Sequence, residues 1–249
     1  MLSLPDQVSA CLFDLDGVLT PTAVVHKAAW EETFNTFLLQ RSQDDGAPYV
    51  PFDPEDDYYK YVDGRSRADG VRTFLESRGI TLPEGHPDDL GDLSTVTGIG
   101  NRKNTALLEQ LREHGVSAYP DAERYLHATQ RAGLRRAVVS ASANCREVIE
   151  AAGLASMLEV RVDGVVARQE GLRGKPHPDT FLAAAERLGV EPAQAAVFED
   201  AIAGVEAGRA GEFGYVVGID RVGQADALRA AGADVVVSTL AELMDGATR

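Results

Sequence analysis

Short apolar runs recur along the chain at "SACLF" (9–13), "RRAVVS" (135–140), "AAVF" (195–198), "GYVVGI" (214–219) and "ADVVVS" (233–238). Between them lie segments with helical spacing of apolar positions, among them "DAERYLHATQRAG", "HPDTFLAAAERLG" and "ADALRAAG". This alternation of strand-like and helix-like patterns is a βαβ rhythm. The runs are apolar on both faces and the helices end at Gly133, Gly189 and Gly232, so the pattern predicts a parallel sheet covered on both sides. The expected fold is α/β, a doubly wound, Rossmann-like sheet.

The rhythm fails over 22–113, where helical patterns dominate. That stretch reads as an inserted helical domain, leaving 1–21 and 114–249 for the sheet domain. In its first helix His26, Trp30, Phe34 and Phe37 fall at intervals of four and three and share one stripe, which makes Trp30 a core residue of the insert. A loop at 41–57, "RSQDDGAPYVPFDPEDD", carries much of the acid and proline. No internal repeat interrupts this organisation.

Composition narrows the function. The 249 residues are 44% hydrophobic and 25% charged, an ordinary globular balance with enough chain to bury a core. A net charge of −15 repels nucleic acid and anionic lipid, so neither is an expected partner. Apolar runs are too short to span a bilayer and "MLSLPDQVSA" lacks the pattern of a signal peptide, so a cytoplasmic monomer acting on a small molecule is expected. Cys11 and Cys145 form neither a disulfide framework nor a metal spacing. Any anionic substrate must be held by local cations.

In a parallel sheet, ligands bind beyond the carboxyl ends of the strands, so the residues just after each apolar run converge. Four such positions carry chemistry. Asp14 and Asp16 follow the first run, and on an extended backbone they face one way. Ser140, Ala141, Ser142 and Asn144 follow the second, small hydroxyl and amide donors that suit a phosphate at the start of a helix. Lys175 sits between a glycine and a proline before a helix. Glu199 and Asp200 follow "AAVF". Each alone has an ordinary explanation: Asp16-Gly17 as an exposed turn, Ser and Asn as caps, Lys175 as a solvated loop residue, Asp200 as an N-cap. All four at once call for a hard cation, and carboxylates around one point match Mg²⁺.

Taken in order, "DLDGVLT", "SASAN", "GKPHPD" and "FEDAIAGVEA" resemble the haloacid dehalogenase superfamily of phosphotransferases. With "TAVVHKAAW", "DGRSR" and "RKN" in the insert, the chain is similar to the β-phosphoglucomutase family almost end to end. The resemblance implies that 22–113 is a helical cap over a catalytic sheet domain. It implies Asp14 as nucleophile, Asp16 as general acid and base, and Mg²⁺ held by Asp14, the Asp16 carbonyl, Asp200 and Glu199. Ser140 and Lys175 would bind the phosphoryl group in transfer, and Arg67, Ser142 and Asn144 the distal phosphate. Thr22, His26 and Lys103 would reach the Asp16 region, Gly64 and Arg65 would line the sugar, and Trp30 and Ala141 fall at substrate-binding positions. The implied reaction interconverts β-glucose 1-phosphate and glucose 6-phosphate through glucose 1,6-bisphosphate. A sugar-phosphate phosphatase on the same scaffold is the alternative, and a catalytically idle phosphosugar-binding module a third reading. Two features depart from the family pattern: Ala143 stands where a lysine is expected, and the 41–57 loop is longer.

Overall fold

The computed structural model describes residues 2–46 and 48–244. In chain order its elements begin with β1 (Ala10–Phe13), α1 (Ala23–Asp45), α2 (Arg67–Ser77), α3 (Val96–His114), α4 (Pro120–Arg131), β2 (Arg135–Val139) and α5 (Cys145–Ala151). They continue with β3 (Val160–Val162), α6 (Gly164–Glu170), α7 (Asp179–Leu188), β4 (Ala195–Glu199), α8 (Ile202–Ala210), β5 (Tyr215–Ile219), α9 (Ala225–Ala231) and β6 (Val235–Val237). The chain forms two compact units. One runs up to Pro21, takes in Gly64–Ser66 and resumes at Val116; the other holds Thr22–Asp63 and Arg67–Gly115. Gly64–Ser66, in the middle of the expected insert, thus cluster with the sheet, and the helical unit extends past 113 to the end of α3.

Among the described residues the sheet unit has six strands, all parallel, in the order β3-β2-β1-β4-β5-β6. The five expected strands are present. β3 is additional: "VRV" is only three residues long and carries a central arginine, too little for an apolar run to register. β1 lies at the centre, its Phe13 in register with Val138 of β2 and Phe198 of β4. Chain order reverses between β1 and β4, which opens a crevice beyond their carboxyl ends. Asp14, Ser140 and Asp200 therefore all emerge at one sheet edge.

Both faces of the sheet are dry, as the unbroken apolar runs require. On one face Ala10, Leu12, Val139 and Val197 pack with Phe181, Ala184 and Leu188 of α7. On the other, Phe13 stacks on Phe198 at 4.6 Å, and Tyr125 of α4 meets both rings edge-on. Phe13 is fully buried directly beneath Asp14, and truncating it to Ala costs about 3–5 kcal/mol. The Gly133, Gly189 and Gly232 helix stops all have positive φ, as expected where a helix ends in a left-handed residue.

The helical unit has its own core. Trp30, Phe34, Phe37, Phe52, Phe74 and Ile99 are all buried within it, with Trp30 stacked on Phe34 at 4.9 Å and Phe34 against Phe74 at 4.1 Å. Residues 41–45, expected to open the loop, instead form the end of α1, and the chain beyond contributes Phe52 to this core, its amide donating to Asn35 Oδ1 at 2.8 Å. Two of the loop's acids pair with cations, Asp57 with Arg78 at 2.5 Å and Glu55 with Lys27 at 2.7 Å. Among the described residues no helix is long and apolar enough to cross a membrane.

Candidate active site

Asp14 continues directly from β1, its amide donating to Phe198 O at 2.9 Å, so the carboxylate inherits the rigidity of the central strand. The chain then turns: Leu15 O accepts from Leu19 N and Thr20 N, and Gly17 N donates to Thr20 O at 2.8 Å. Gly17 has φ +85, a left-handed conformation, and a β-carbon there would lie 1.8 Å from Asp200 Oδ2. Glycine after Asp16 is thus a spatial requirement. It lets the loop carrying the first acids press against the loop carrying the last.

Lys175 lies between two carboxylates. Its Nζ is 2.5 Å from Asp14 Oδ1, 2.5 Å from Glu199 Oε1 and 3.1 Å from Val139 O, and the residue is buried. Far from being a solvated loop lysine, it crosses the sheet edge from α7's approach to β1 and β4. Burial works to lower its pKa, but the Asp14 and Glu199 charges outweigh that and hold the ammonium above the ordinary lysine value. Burial pushes the Asp14 carboxyl well above the usual carboxylate range; Lys175 pulls it down, while the Glu199 and Asp16 charges push it further up. Asp16 is only half-buried, so the two acids after β1 sit in different surroundings.

Asp14, Glu199 and Asp200 each present a carboxylate oxygen within 4.8 Å of one another, all three buried. Once a bound cation has displaced the Asp14 proton, three carboxylates against the Lys175 ammonium leave two negative charges, the complement of a divalent cation. The donor set is all hard oxygen, which suits Mg²⁺ and excludes a thiolate-preferring metal. Asp200 is not the cap of α8: Ala201 holds that position, and its amide donates to Glu199 Oε2 at 3.2 Å. Gly204 makes room for an acid, since a β-carbon there would lie 1.9 Å from the Glu199 carboxyl carbon. Gly208 does pack on the sheet, facing Val216 and Val197.

Beyond β2, Ser140 Oγ accepts from Ser142 N at 3.1 Å and Ser142 Oγ from Asn144 N at 3.2 Å. A hydroxyl that accepts in this way still has its proton to donate, so each of these two serines keeps a donor available. Asn144 precedes α5 without a side-chain cap bond to it. Ala141 and Ala143 lie against Gly164, whose β-carbon would fall 2.6 Å from Ala141 O, and Gly164 N donates to Ser142 O at 3.1 Å.

Gly64 belongs to the sheet unit, where it has φ +71 and faces Ala201 next to Asp200; Arg65 follows it there. Thr22, His26, Trp30, Arg67 and Lys103 lie on the helical unit. Lys103 Nζ is 3.0 Å from His26 Nδ1 and 5.1 Å from the Trp30 ring centroid. An ammonium only donates, so His26 Nδ1 is the acceptor and its ring proton is on Nε2. Trp30 is buried in the unit's core with Lys103 over its face. Arg67 opens α2 and its stem packs along Gly100 of α3.

The loop after β5 escaped the sequence reading. Arg221 Nε donates to Gly17 O at 3.0 Å and Gln224 Nε2 to Asp200 O at 2.8 Å. Its signal was available: Asp220-Arg221 directly follows "GYVVGI", a strand-end position like those of Asp14, Ser140 and Glu199-Asp200.

The haloacid dehalogenase-like hydrolase family matches the chain over residues 8–211. β-Phosphoglucomutases of Mycobacterium bovis and Mycobacterium tuberculosis are each 56% identical to it over 98% of this chain and 94% of theirs. That of Bacillus subtilis is 28% identical over 95% of this chain and 92% of its own. A solved β-phosphoglucomutase from Clostridium difficile is 24% identical, covers 95% of this chain and 93% of its own, and superposes with a TM-score of 0.73, a likeness of fold. With a buried acid and lysine cluster at the crevice of a doubly wound sheet, the chain belongs to the haloacid dehalogenase-like hydrolases, in their β-phosphoglucomutase branch.

Proposed function

We propose that the chain is a β-phosphoglucomutase that interconverts β-D-glucose 1-phosphate and glucose 6-phosphate through β-glucose 1,6-bisphosphate. The observation that carries the reading is Lys175, buried 2.5 Å from both Asp14 Oδ1 and Glu199 Oε1. That arrangement places a cation beside the one buried carboxylate positioned by the central strand.

In one half-reaction an Asp14 carboxylate oxygen attacks a phosphorus of the 1,6-bisphosphate. The bond from phosphorus to the sugar oxygen breaks, and Asp16 gives that oxygen a proton. In the other half-reaction the free hydroxyl of glucose 1-phosphate or glucose 6-phosphate attacks the aspartyl phosphate, Asp16 takes the hydroxyl proton, Asp14 is released and the bisphosphate forms again. The half-buried setting of Asp16 suits a group that must hold and release a proton in turn. Bound at Asp14, Asp200, Glu199 and the Asp16 carbonyl, Mg²⁺ would neutralise charge on the phosphoryl oxygens. Two unit charges about 4 Å apart interact by roughly 4 kcal/mol at an effective dielectric near 20, so an ionised Asp14 without cations around it would repel its own substrate. Lys175 and the Ser140 hydroxyl hold the phosphoryl oxygens in line, which is the main demand of phosphoryl transfer.

Ser142, Asn144 and Arg67 are proposed to hold the phosphate that is not in transfer, and His26, Lys103, Thr22, Gly64 and Arg65 to recognise the sugar. Glucose 1,6-bisphosphate serves as activator because it phosphorylates Asp14. The protein works as a cytoplasmic monomer.

Asp14→Asn tests the reading. An amide is a poor nucleophile, so turnover is lost and no phosphoryl group is recovered on the protein after mixing with bisphosphate, whereas the wild type yields a phosphorylated peptide containing Asp14. Recovery of the label on another residue would displace Asp14 from this role.

A further inference from the structure

The Asp14–Asp16 loop and the Glu199–Asp200 loop come from different strands, and their spacing sets the geometry of any ion between them. Gly17 and Asp200 mark where the two loops meet. Each loop offers one backbone carbonyl to the same third loop, after β5: Gly17 O to Arg221 and Asp200 O to Gln224. We infer that Arg221 and Gln224 are positioning residues that hold the two acid-bearing loops at the separation a divalent cation needs. The inference rests on the aspartyl phosphotransferase reading of this site.

Arg221 is itself held. Its NH1 donates to Ser238 O at 3.0 Å, its NH2 pairs with Asp121 at 3.4 Å, and its guanidinium carbon stands 4.0 Å from the centroid of the Tyr119 ring. Asp121 in turn accepts from Leu240 N at 2.8 Å, which ties the arginine to α4 and to the segment beyond β6. Asp220 shapes the loop, its Oδ1 accepting from the amides of Val222, Gly223 and Gln224 at 3.2, 2.7 and 2.8 Å. Between them, the two side chains span a loop whose ends are already fixed to the sheet. The contacts reach 204 and 24 residues back along the chain, so local structure alone does not account for them. Groups that orient metal ligands from outside the coordination sphere typically change affinity about 10- to 100-fold when removed.

The test is direct titration of the full-length protein with Mn²⁺, followed by electron paramagnetic resonance of the free ion, with Mg²⁺ as competitor and no sugar phosphate present. Arg221→Ala raises the dissociation constant by about 10- to 100-fold, with Gln224→Ala at the lower end of that range. Arg221→Lys, which keeps the charge but loses the fork of donors, falls between wild type and Arg221→Ala. Arg229→Ala, removing an exposed arginine of α9 that pairs with Asp226, leaves the constant unchanged. Saturating Mg²⁺ restores kcat in Gln224→Ala, which a general loss of structure would not permit. Should Arg221→Ala fail to fold, Arg221→Lys and Gln224→Ala decide the matter. Folded variants at both positions that bind Mn²⁺ as tightly as the wild type overturn the inference. Because the ion is titrated without substrate, a failure of the mutase reading shows in turnover assays alone and leaves this result separate.

Discussion

Gly17 and Asp200 are in such close approach that a β-carbon on the glycine would lie 1.8 Å from the Asp200 carboxylate oxygen. Gly17→Ala therefore pushes Asp200 out of the acid cluster. Gly133→Ala is the matched control: its φ is +75, similar to the +85 of Gly17, but nothing lies within 4 Å of the added carbon. Both substitutions cost roughly 1–2 kcal/mol for the left-handed backbone. Only Gly17→Ala abolishes metal binding and turnover, as isothermal titration with Mg²⁺ and thermal melts of the two variants will separate.

The raised pKa of Asp14 predicts how metal binding depends on pH. Burial first, then the Glu199 and Asp16 charges, keep a proton on this carboxyl above 3.8, the ordinary value, in the metal-free protein. Relative to the unfolded chain the raised value contributes stability below 3.8 that is lost as pH rises through the folded pKa. A bound dication requires the carboxylate, so binding releases that proton. Mg²⁺ affinity thus increases with pH across a window above 3.8, and the rise in melting temperature on adding Mg²⁺ is larger at neutral than at acid pH. Melts at a series of pH values, with and without Mg²⁺, measure it; an Mg²⁺ effect independent of pH contradicts the assignment of Asp14.

Strand ends made most of the site legible in advance. A parallel sheet brings its carboxyl edge together whatever the sequence separation, so Asp14, Ser140 and Glu199-Asp200 could be read as one constellation from position alone, whereas Lys175 follows no strand and enters from the connection between α6 and α7. Arg221 is legible by the same rule, since it follows the clear apolar run of β5. Gln224 was not legible in this way, because it acts through a backbone carbonyl and a lone loop glutamine has no pattern. β3 was hidden by its length, and Gly64–Ser66 by lying within a helical stretch while packing with the sheet. Gly204 was visible as a glycine, but that it accommodates a carboxylate depends on the Glu199 rotamer, which no spacing reveals.

Tyr125 gives a prediction about stability alone. Its ring is fully buried against Phe13 and Phe198, and its hydroxyl has no hydrogen-bond partner among the described residues. A buried hydroxyl without a partner costs about 1–3 kcal/mol. Tyr125→Phe removes the cost and keeps the ring, so the protein is stabilised by about 1 kcal/mol with turnover unchanged, as denaturant unfolding and a steady-state assay will record.

The pairing of Lys103 Nζ with His26 Nδ1 at 3.0 Å fixes the histidine as a donor through Nε2. His26→Ala removes that donor and Lys103→Ala frees the tautomer. If these residues serve transfer to sugar, His26→Ala lowers mutase turnover by about 10²- to 10⁴-fold, the range for disturbing acid and base catalysis, while release of free phosphate falls less. The ratio of glucose 6-phosphate to free phosphate, measured in one reaction mixture, is the quantity that moves.

The central claim is that the phosphoryl group on Asp14 returns to sugar. The most direct measurement supplies β-glucose 1-phosphate, Mg²⁺ and a trace of glucose 1,6-bisphosphate to the wild-type protein and follows glucose 6-phosphate and inorganic phosphate side by side. Glucose 6-phosphate accumulates in large excess, its formation depends on the bisphosphate, and free phosphate stays near background. Phosphate released as fast as glucose 6-phosphate forms, with no requirement for bisphosphate, would contradict the mutase and identify the protein as a phosphatase on the same scaffold.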